Sequence, residues 1–133
     1  MSTFHLEIVT PDNRPFSGEA ERLLVRTTEG DVEILPGHID YLATVGTGRA
    51  KITVDKKSRL AAISGGFVSV SGKKVRLVVT TFEYADEIDV NRAIAAKKHA
   101  EELIKQAKDA TEEAAAKARL LRAMSRLAVV SKK

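Results

Sequence analysis

Basic residues in the last third of this 133-residue chain have a spacing suited to binding an anion. Arg92 and His99 are seven residues apart, so they would share one face of a helix. Arg119, Arg122 and Arg126 follow at steps of three and four and would share another face. A turn near residue 110 would bring Arg92 within reach of Arg122 and Arg126. Guanidiniums gathered in this way repel one another, and a phosphate chain would relieve the repulsion through bidentate hydrogen bonds.

The stretch Glu87–Ala93 could supply the other half of such a site. Asp89 is placed to cap a helix by accepting the free backbone N–H of one of the next residues. Ile88 and Ala93 could contact a nucleobase, and Glu83 or Asp89 could accept a hydrogen bond from its amino group. The alternative is that Asp89 only caps the helix and the arginines are solvated. The residue pattern by itself leaves both interpretations open.

Beyond this stretch the sequence predicts two helices. The first carries an apolar stripe of Ala93, Ala96, Ala100, Leu103, Ile104 and Ala107. The predicted stripe of the second helix is Ala114, Ala118, Leu121, Met124 or Ser125, and Ala128, with Thr111 as its cap. The short break between the helices favours an antiparallel hairpin. Because its seam is mostly alanine, the hairpin should be weakly held, and it either docks on another surface or opens.

Short alternating segments broken by glycine and proline turns occupy the first part of the chain. They predict an antiparallel β-sandwich of about eight to ten strands. The predicted fold class is therefore α+β, with a β-sandwich over residues 1–86 and a C-terminal two-helix hairpin over residues 87–133. Pro36, Gly37 and His38 close one of the strand segments.

Composition excludes several classes of protein. With 30% charged and 44% hydrophobic residues, the chain should be globular rather than disordered. It has no cysteine, no signal peptide pattern at its start and no apolar run long enough to cross a bilayer, which predicts a cytosolic protein, possibly attached to a larger assembly. The three histidines lack metal-ligand spacing, and no nucleophile and base can be paired, so no catalytic or metal site is predicted. Gly46-Thr47-Gly48 lacks the third glycine and the strand-to-helix context of a dinucleotide-binding loop.

The positive charge is concentrated at the end of the chain. Residues 1–87 have a net charge of −1 and residues 88–133 of +5, with six basic residues and no acid after Ala114. This asymmetry indicates an anionic partner for the last helix, although a solvated basic tail is the alternative. A nucleic-acid partner would need basic surface beyond one helix, and the first 87 residues supply none.

Three motifs in order resemble the bacterial F-type ATP synthase epsilon subunit, over the whole chain. They are Ile34-Leu35-Pro36-Gly37-His38, Ser64-Gly65-Gly66-Phe67 and Ile88-Asp89-x-x-Arg92-Ala93, followed by two helices. The resemblance implies a non-catalytic rotor subunit that joins the gamma subunit to the c-ring of a proton-translocating ATP synthase. It also implies a peripheral location on the cytoplasmic side of the bacterial membrane, with no membrane insertion and no nucleic-acid partner. Pro36, Gly37 and His38 are the expected contacts with gamma or the c-ring.

The resemblance further implies a regulatory hairpin. When extended, it would enter the catalytic alpha/beta hexamer and inhibit ATP hydrolysis, with Arg119, Arg122 and Arg126 contacting acidic segments there. When folded, it would bind ATP as a regulatory ligand and not as a substrate, with any magnesium requirement left open. The ATP-binding residues expected on this basis are Glu83, Ile88, Asp89, Arg92, Ala93, His99, Arg122 and Arg126. The ATP-binding pattern has arginine where this chain has His99, which would be only partly charged near neutral pH. The alternative is a purely structural coupling subunit that binds no nucleotide.

Overall fold

The computed structural model describes residues 2–131. The described residues form seven strands followed by a short 3-10 turn and two helices. The strands are β1 (Phe4–Val9), β2 (Phe16–Ala20), β3 (Arg22–Thr27), β4 (Gly30–Ile34), β5 (Tyr41–Val54), β6 (Lys57–Ser71) and β7 (Lys74–Tyr84). The 3-10 turn is Ala85–Glu87, and the helices are α1 (Val90–Gln106) and α2 (Ala110–Ser131).

The strands form one sheet in the order β2-β1-β7-β6-β5-β3-β4. All neighbouring pairs are antiparallel except β1 and β7, which run parallel. Strand β2 also contacts β5, which is not its hydrogen-bonded neighbour, so the sheet curls over on itself. Side chains from every strand meet in one apolar core within the described chain, and the largest fully buried ones include Leu6, Ile63 and Leu77.

The predicted fold of a β-sandwich followed by a helical hairpin is confirmed, with seven strands in place of the eight to ten expected. The predicted count is too high because glycines inside long strands resemble turns between short ones. Gly65 and Gly66 lie inside the 15-residue strand β6, and Gly46 and Gly48 lie inside β5. A Cβ on Gly66 would stand 1.9 Å from the Val78 carbonyl oxygen, so glycine here permits a close approach of β7 and does not mark a turn.

Helix α1 begins where the sequence predicted. Asp89 is its N-cap, and the Asp89 side chain accepts from the backbone N–H of Arg92 at 3.1 Å. Of the predicted stripe, Ala93 and Ala100 are buried and Leu103, Ile104 and Ala107 are half-buried, whereas Ala96 is exposed. The cap and most of the stripe are therefore confirmed.

The predicted inner face of α2 is wrong. Its buried residues are Ala116, Ala123 and Val129, while the predicted stripe is exposed except for Ser125. Alanines occur on several faces of this helix, so steps of three and four could be traced along more than one line. The predicted cap is also wrong: Asp109, not Thr111, accepts from the Glu112 backbone N–H at 2.8 Å.

The hairpin packs against the outside of the sandwich. A second apolar cluster joins Ala62 on β6 to Ala93 on α1 and Val129 on α2. It includes Ala85 and Ile88 of the link, which is residues 85–89 between β7 and α1. Ala62 can take part because alternate residues of β6 face opposite sides of the sheet, so that Ala61 and Ile63 enter the sandwich core while Ala62 faces the hairpin. The link between the sandwich and the hairpin therefore packs against both of them.

Candidate functional site

Most of the residues predicted to bind nucleotide line one cavity at the junction of the sandwich and the hairpin. Its volume is about 220 Å³. It receives side chains from the end of β7, the link, the first turns of α1 and the second half of α2. The lining residues are Glu83, Glu87, Ile88, Asp89, Arg92, Ala93, Ala96 and Arg126. Six of the eight predicted residues are therefore brought together.

Asp89 has a structural role at this cavity. Its Oδ1 caps α1, and its backbone carbonyl accepts the Ala93 N–H at 3.0 Å. The cap places the carboxylate beside the positive N-terminal end of α1. Capping and ligand binding are compatible, because a carboxylate has more lone pairs than one backbone N–H can use.

An ion pair across the cavity connects the two units of the fold. Arg126 Nε on α2 donates to Glu83 Oε1 on β7 at 2.5 Å, and both side chains are partly exposed. Glu83 faces the helices because its register partner on β6 is Ala62, which belongs to the hairpin-facing cluster. This pair therefore helps to hold α2 against the sandwich, and a phosphate contacting Arg126 would have to compete with Glu83.

Arg92 is the cation that the cavity leaves without a salt bridge. Among the ion pairs of residues 2–131, none uses its guanidinium, and the same is true of Arg122. The neighbouring carboxylates are engaged elsewhere, since Glu83 pairs with Arg126 and Glu87 lies 3.8 Å from Arg59. The cavity thus presents one guanidinium whose charge no acidic group offsets by direct contact.

The link that leads into the cavity is fixed to the sandwich by Arg59. Its guanidinium carbon lies 3.5 Å from the centre of the Tyr84 ring, and its Nη2 is 3.1 Å from Asp86 Oδ1. Burial raises the pKa of the Tyr84 hydroxyl above its usual value, and the positive charge of Arg59 offsets part of that rise. Arg59 therefore anchors the Ala85–Glu87 turn to the sandwich, while Ala85 also belongs to the apolar cluster that faces the hairpin.

Two of the predicted nucleotide-binding residues lie outside this cavity. Arg122 borders a much smaller space of about 10 Å³ between α2 and strands β6 and β7, next to Arg126. His99 lines a separate groove of about 410 Å³ between the helices, together with Arg119. Seven residues of helix put His99 about 10 Å along the axis from Arg92, so a shared face did not mean a shared cavity.

Glu87 and Ala96 line the cavity but were absent from the predicted set. Ala96 follows Arg92 by four residues, and this spacing places the two side chains on neighbouring turns. Glu87 directly precedes Ile88, so its position in the junction was available from the sequence.

The predicted partner-binding residues form an exposed turn at another place on the sandwich. Gly37 has a positive φ of 83°, and the His38 N–H donates to the Leu35 carbonyl oxygen at 3.1 Å. The His38 ring packs edge-on against Tyr41. The turn is flanked by exposed apolar residues, since Ile39 is 78% and Leu42 71% exposed.

No group of three His, Asp or Glu side chains converges within residues 2–131 as a metal ion would need. None of the helices in the described part of the chain combines the length and apolar character needed to span a bilayer.

Both parts of the chain match family models from one class of protein. The family described as the ATP synthase Delta/Epsilon chain, beta-sandwich domain, matches residues 3–85. The accompanying long alpha-helix domain of the same chain type matches residues 86–131. The chain therefore belongs to the ATP synthase delta/epsilon family, and the resemblance seen in its motifs is confirmed.

Curated relatives narrow the class to the epsilon chain. The ATP synthase epsilon chain of Ruminiclostridium cellulolyticum is 37% identical over 133 residues, covering 100% of this chain and 99% of the relative. That of Ruminococcus albus is 42% identical over 134 residues, covering 100% of both chains. That of Bacillus velezensis is 40% identical and covers 97% of this chain and 98% of its own.

Solved structures agree on the fold. A chain in the Euglena gracilis mitochondrial ATP synthase (OSCP/F1/c-ring) matches with a TM-score of 0.84 at 21% identity, covering 96% of this chain and 81% of its own. A chain in the central stalk and c-ring structure of the Tetrahymena thermophila mitochondrial ATP synthase matches with a TM-score of 0.63 at 17% identity, covering 95% of each chain.

Proposed function

We propose that this chain is a non-catalytic rotor subunit of a bacterial F-type ATP synthase, in which it joins the gamma subunit to the c-ring. It would act in proton-coupled ATP synthesis as a peripheral protein on the cytoplasmic side of the cell membrane. Full-length similarity to epsilon chains supports this role. Leu42 on β5 and Phe67 on β6 are exposed and take diagonal positions on the paired strands, and this exposed apolar pair supports a protein partner on the sandwich.

The hairpin is the regulatory part of this proposal. Its buried seam consists of Ala93, Ala100, Ala116 and Ala123, which bury little apolar area each, and Val129 alone adds a larger buried side chain. A hairpin held so weakly can leave the sandwich and extend toward the catalytic alpha/beta hexamer. Extension would free Arg126 from Glu83 and present Arg119, Arg122 and Arg126 to acidic segments of the catalytic subunits, which inhibits ATP hydrolysis.

ATP would favour the folded hairpin by binding at the junction. The observation that carries this proposal is the convergence of Glu83, Asp89, Arg92 and Arg126 from four elements on one cavity. Only the folded hairpin brings them together, so a ligand bound there lowers the extended population. At a hundredfold excess over Kd the shift is about 2.7 kcal/mol.

The residues fit part of a nucleotide. Arg92 and Arg126 suit phosphate oxygens, Ile88 and Ala93 suit the face of a base, and Glu83 or Asp89 can accept from an amino group. The volume of about 220 Å³ is below the range of roughly 300–1,000 Å³ for small-molecule sites, so part of the ligand would lie at the surface. In this proposal ATP is a regulatory ligand and not a substrate.

Calorimetric titration with ATP tests the site. Arg92→Ala combined with Asp89→Ser should abolish binding, because it removes both the unpaired guanidinium and the carboxylate. Serine also caps helices, and the cap donor is the backbone N–H of residue 92, so α1 should remain intact. Arg119→Ala is the matched control, because Arg119 lies on α2 outside the cavity and its loss should leave the affinity unchanged.

Two results would reject nucleotide regulation. Undiminished affinity in the double variant would place ATP elsewhere, and failure of the unmodified protein to bind ATP would favour a purely structural coupling subunit. Titration with GTP measures selectivity for the base, and titration with and without magnesium determines whether the ion is required.

A further inference from the structure

A second cavity between the sandwich and the hairpin shares no lining residue with the proposed nucleotide site. Its volume is about 280 Å³, and it lies where α2 crosses strand β5. The lining residues are Arg26, Thr47, Gly48, Arg49, Leu60, Leu121, Ser125, Ala128 and Val129. It combines cationic side chains on the sandwich with apolar side chains from β6 and α2.

An irregularity in strand β5 forms the sandwich wall of this cavity. Val25 on β3 pairs with Ala50, and Thr27 pairs with Val45, so one residue of β3 faces four residues of β5. Residues 46–49 leave the ladder with β3 at this point, while Gly48 and Arg49 stay paired with β6. The Ser125 hydroxyl donates to the Gly48 carbonyl oxygen at 2.7 Å, which ties α2 to the bulge.

Two arginines meet one carboxylate at the bulge. Arg26 Nε lies 2.9 Å from Asp31 Oδ1, and Arg49 Nη2 lies 3.5 Å from Asp31 Oδ2. Two guanidiniums and one carboxylate leave one positive charge. The closest contacts use one nitrogen of each guanidinium, and a guanidinium carries five N–H donors. Donors therefore remain for an anionic group in the cavity.

Gly48 allows Arg26 to reach this position. A Cβ at residue 48 would be 2.8 Å from Arg26 Cγ and 3.0 Å from its Cβ, so the arginine stem crosses the strand where glycine leaves room. Gly48, the second glycine of the Gly46-Thr47-Gly48 motif, therefore allows Arg26 to lie beside Arg49 as a second cation.

Apolar side chains complete the cavity. Leu60 lies on the sandwich side, and Leu121, Ala128 and Val129 lie on α2. Leu121 is 52% exposed, which leaves much of a large apolar side chain uncovered beside the two guanidiniums. A ligand with a charged group and an apolar body could cover both.

We propose that this cavity binds a small organic monoanion with an apolar body. Its carboxylate or sulfonate group contacts Arg26 and Arg49, and its body packs against Leu60, Leu121 and Val129. The single net positive charge matches one negative charge and not a polyphosphate. Because the ligand touches both the sandwich and α2, it stabilises the docked hairpin independently of the nucleotide site.

Titration of the full chain with anilinonaphthalenesulfonate tests the proposal, since this probe has one sulfonate and an aromatic body. We expect one saturable site. Replacement of both arginines by glutamine (Arg26→Gln with Arg49→Gln) should weaken binding by about tenfold or more, because charge-assisted hydrogen bonds are lost. Arg22→Gln is the matched control: Arg22 is on the same strand but pairs with Glu33 and does not line the cavity.

A second variant keeps the proposal testable if the double arginine variant folds poorly. Leu121→Ala removes a half-exposed side chain, so it should leave the fold intact. It should lower the affinity for the probe several-fold, because apolar contact is lost. Equal affinity in all variants, or equally tight binding of uncharged anilinonaphthalene, would overturn the proposal. The variant lacking Asp89 and Arg92 should still bind the probe. Loss of probe binding there would mean that the probe occupies the nucleotide cavity, which also rejects the second site.

Discussion

Gly66 shows how the absence of a single side-chain carbon determines the path of two strands. Strands β6 and β7 pair on either side of it, and its missing side chain lets the Val78 carbonyl occupy the space that a Cβ would need. We expect Gly66→Ala to force the strands apart and to lower the free energy of unfolding by at least about 2 kcal/mol. Chemical denaturation measures this loss.

The neighbouring glycine is the control for that prediction. Gly65 precedes it on the same strand, and nothing lies within 4 Å of a Cβ added there. Gly65→Ala should therefore change stability far less than Gly66→Ala. Equal effects of the two substitutions would mean that general strand propensity, and not the contact with Val78, determines the cost.

The residues of the junction were the most predictable part of the site. Asp89 could be identified as a cap because its residue type, its position before an alanine-rich segment and the spacing to Arg92 agree. The positions of His99 and Arg122 were not predictable in the same way. The helical repeat predicts which face of the helix a residue lies on. Which cavity that residue lines also depends on the position of the neighbouring helix along the axis, which the repeat does not give.

Among the elements, the start of α2 depends on the cap provided by Asp109. Asp109 accepts from the Glu112 N–H, and Glu112 Oε2 accepts in return from the Lys108 N–H at 2.9 Å. We expect Asp109→Ala to destabilise the hairpin by about 1 kcal/mol. Amide hydrogen exchange in the first turns of α2 should become faster in this variant.

Thr111 provides the comparison, because it is the other residue that could have capped α2. It lies inside the helix, two residues after Asp109, and is exposed. Thr111→Ala should therefore leave the exchange of these amides unchanged or slightly slower, since alanine is the better helix former. Faster exchange in the threonine variant than in the aspartate variant would contradict the assignment of the cap.

The elements that the sequence predicted least well have a common physical cause. In β5 and β6, glycines permit bulges and close approaches that look like turns when only the local sequence is considered. In α2, alanine is small enough to occur on buried and exposed faces alike. The sequence therefore does not distinguish the buried positions Ala116, Ala123 and Val129 from their neighbours. Both features depend on a neighbouring element that the local sequence does not specify.

In the molecule as a whole, three kinds of contact join the sandwich to the hairpin. They comprise the small apolar cluster around Val129, the Ser125 hydrogen bond to Gly48 and the ion pair of Arg126 with Glu83. The ion pair is partly exposed and contributes little by itself. Most of the docking energy should therefore come from the apolar cluster, in which Val129 is 2% exposed.

We expect Val129→Ala to weaken docking by about 2 kcal/mol, through lost burial and the cavity left behind, while the sandwich keeps its stability. Amide exchange should then become faster throughout α1 and α2 and stay unchanged in β1 and β7, whose core does not include Val129. Met124→Ala is the control, because Met124 lies on the same helix but is half-exposed on its outer side. If the strands exchanged faster together with the helices, the sandwich and the hairpin would unfold as one unit, and the hairpin could not act as a separate switch.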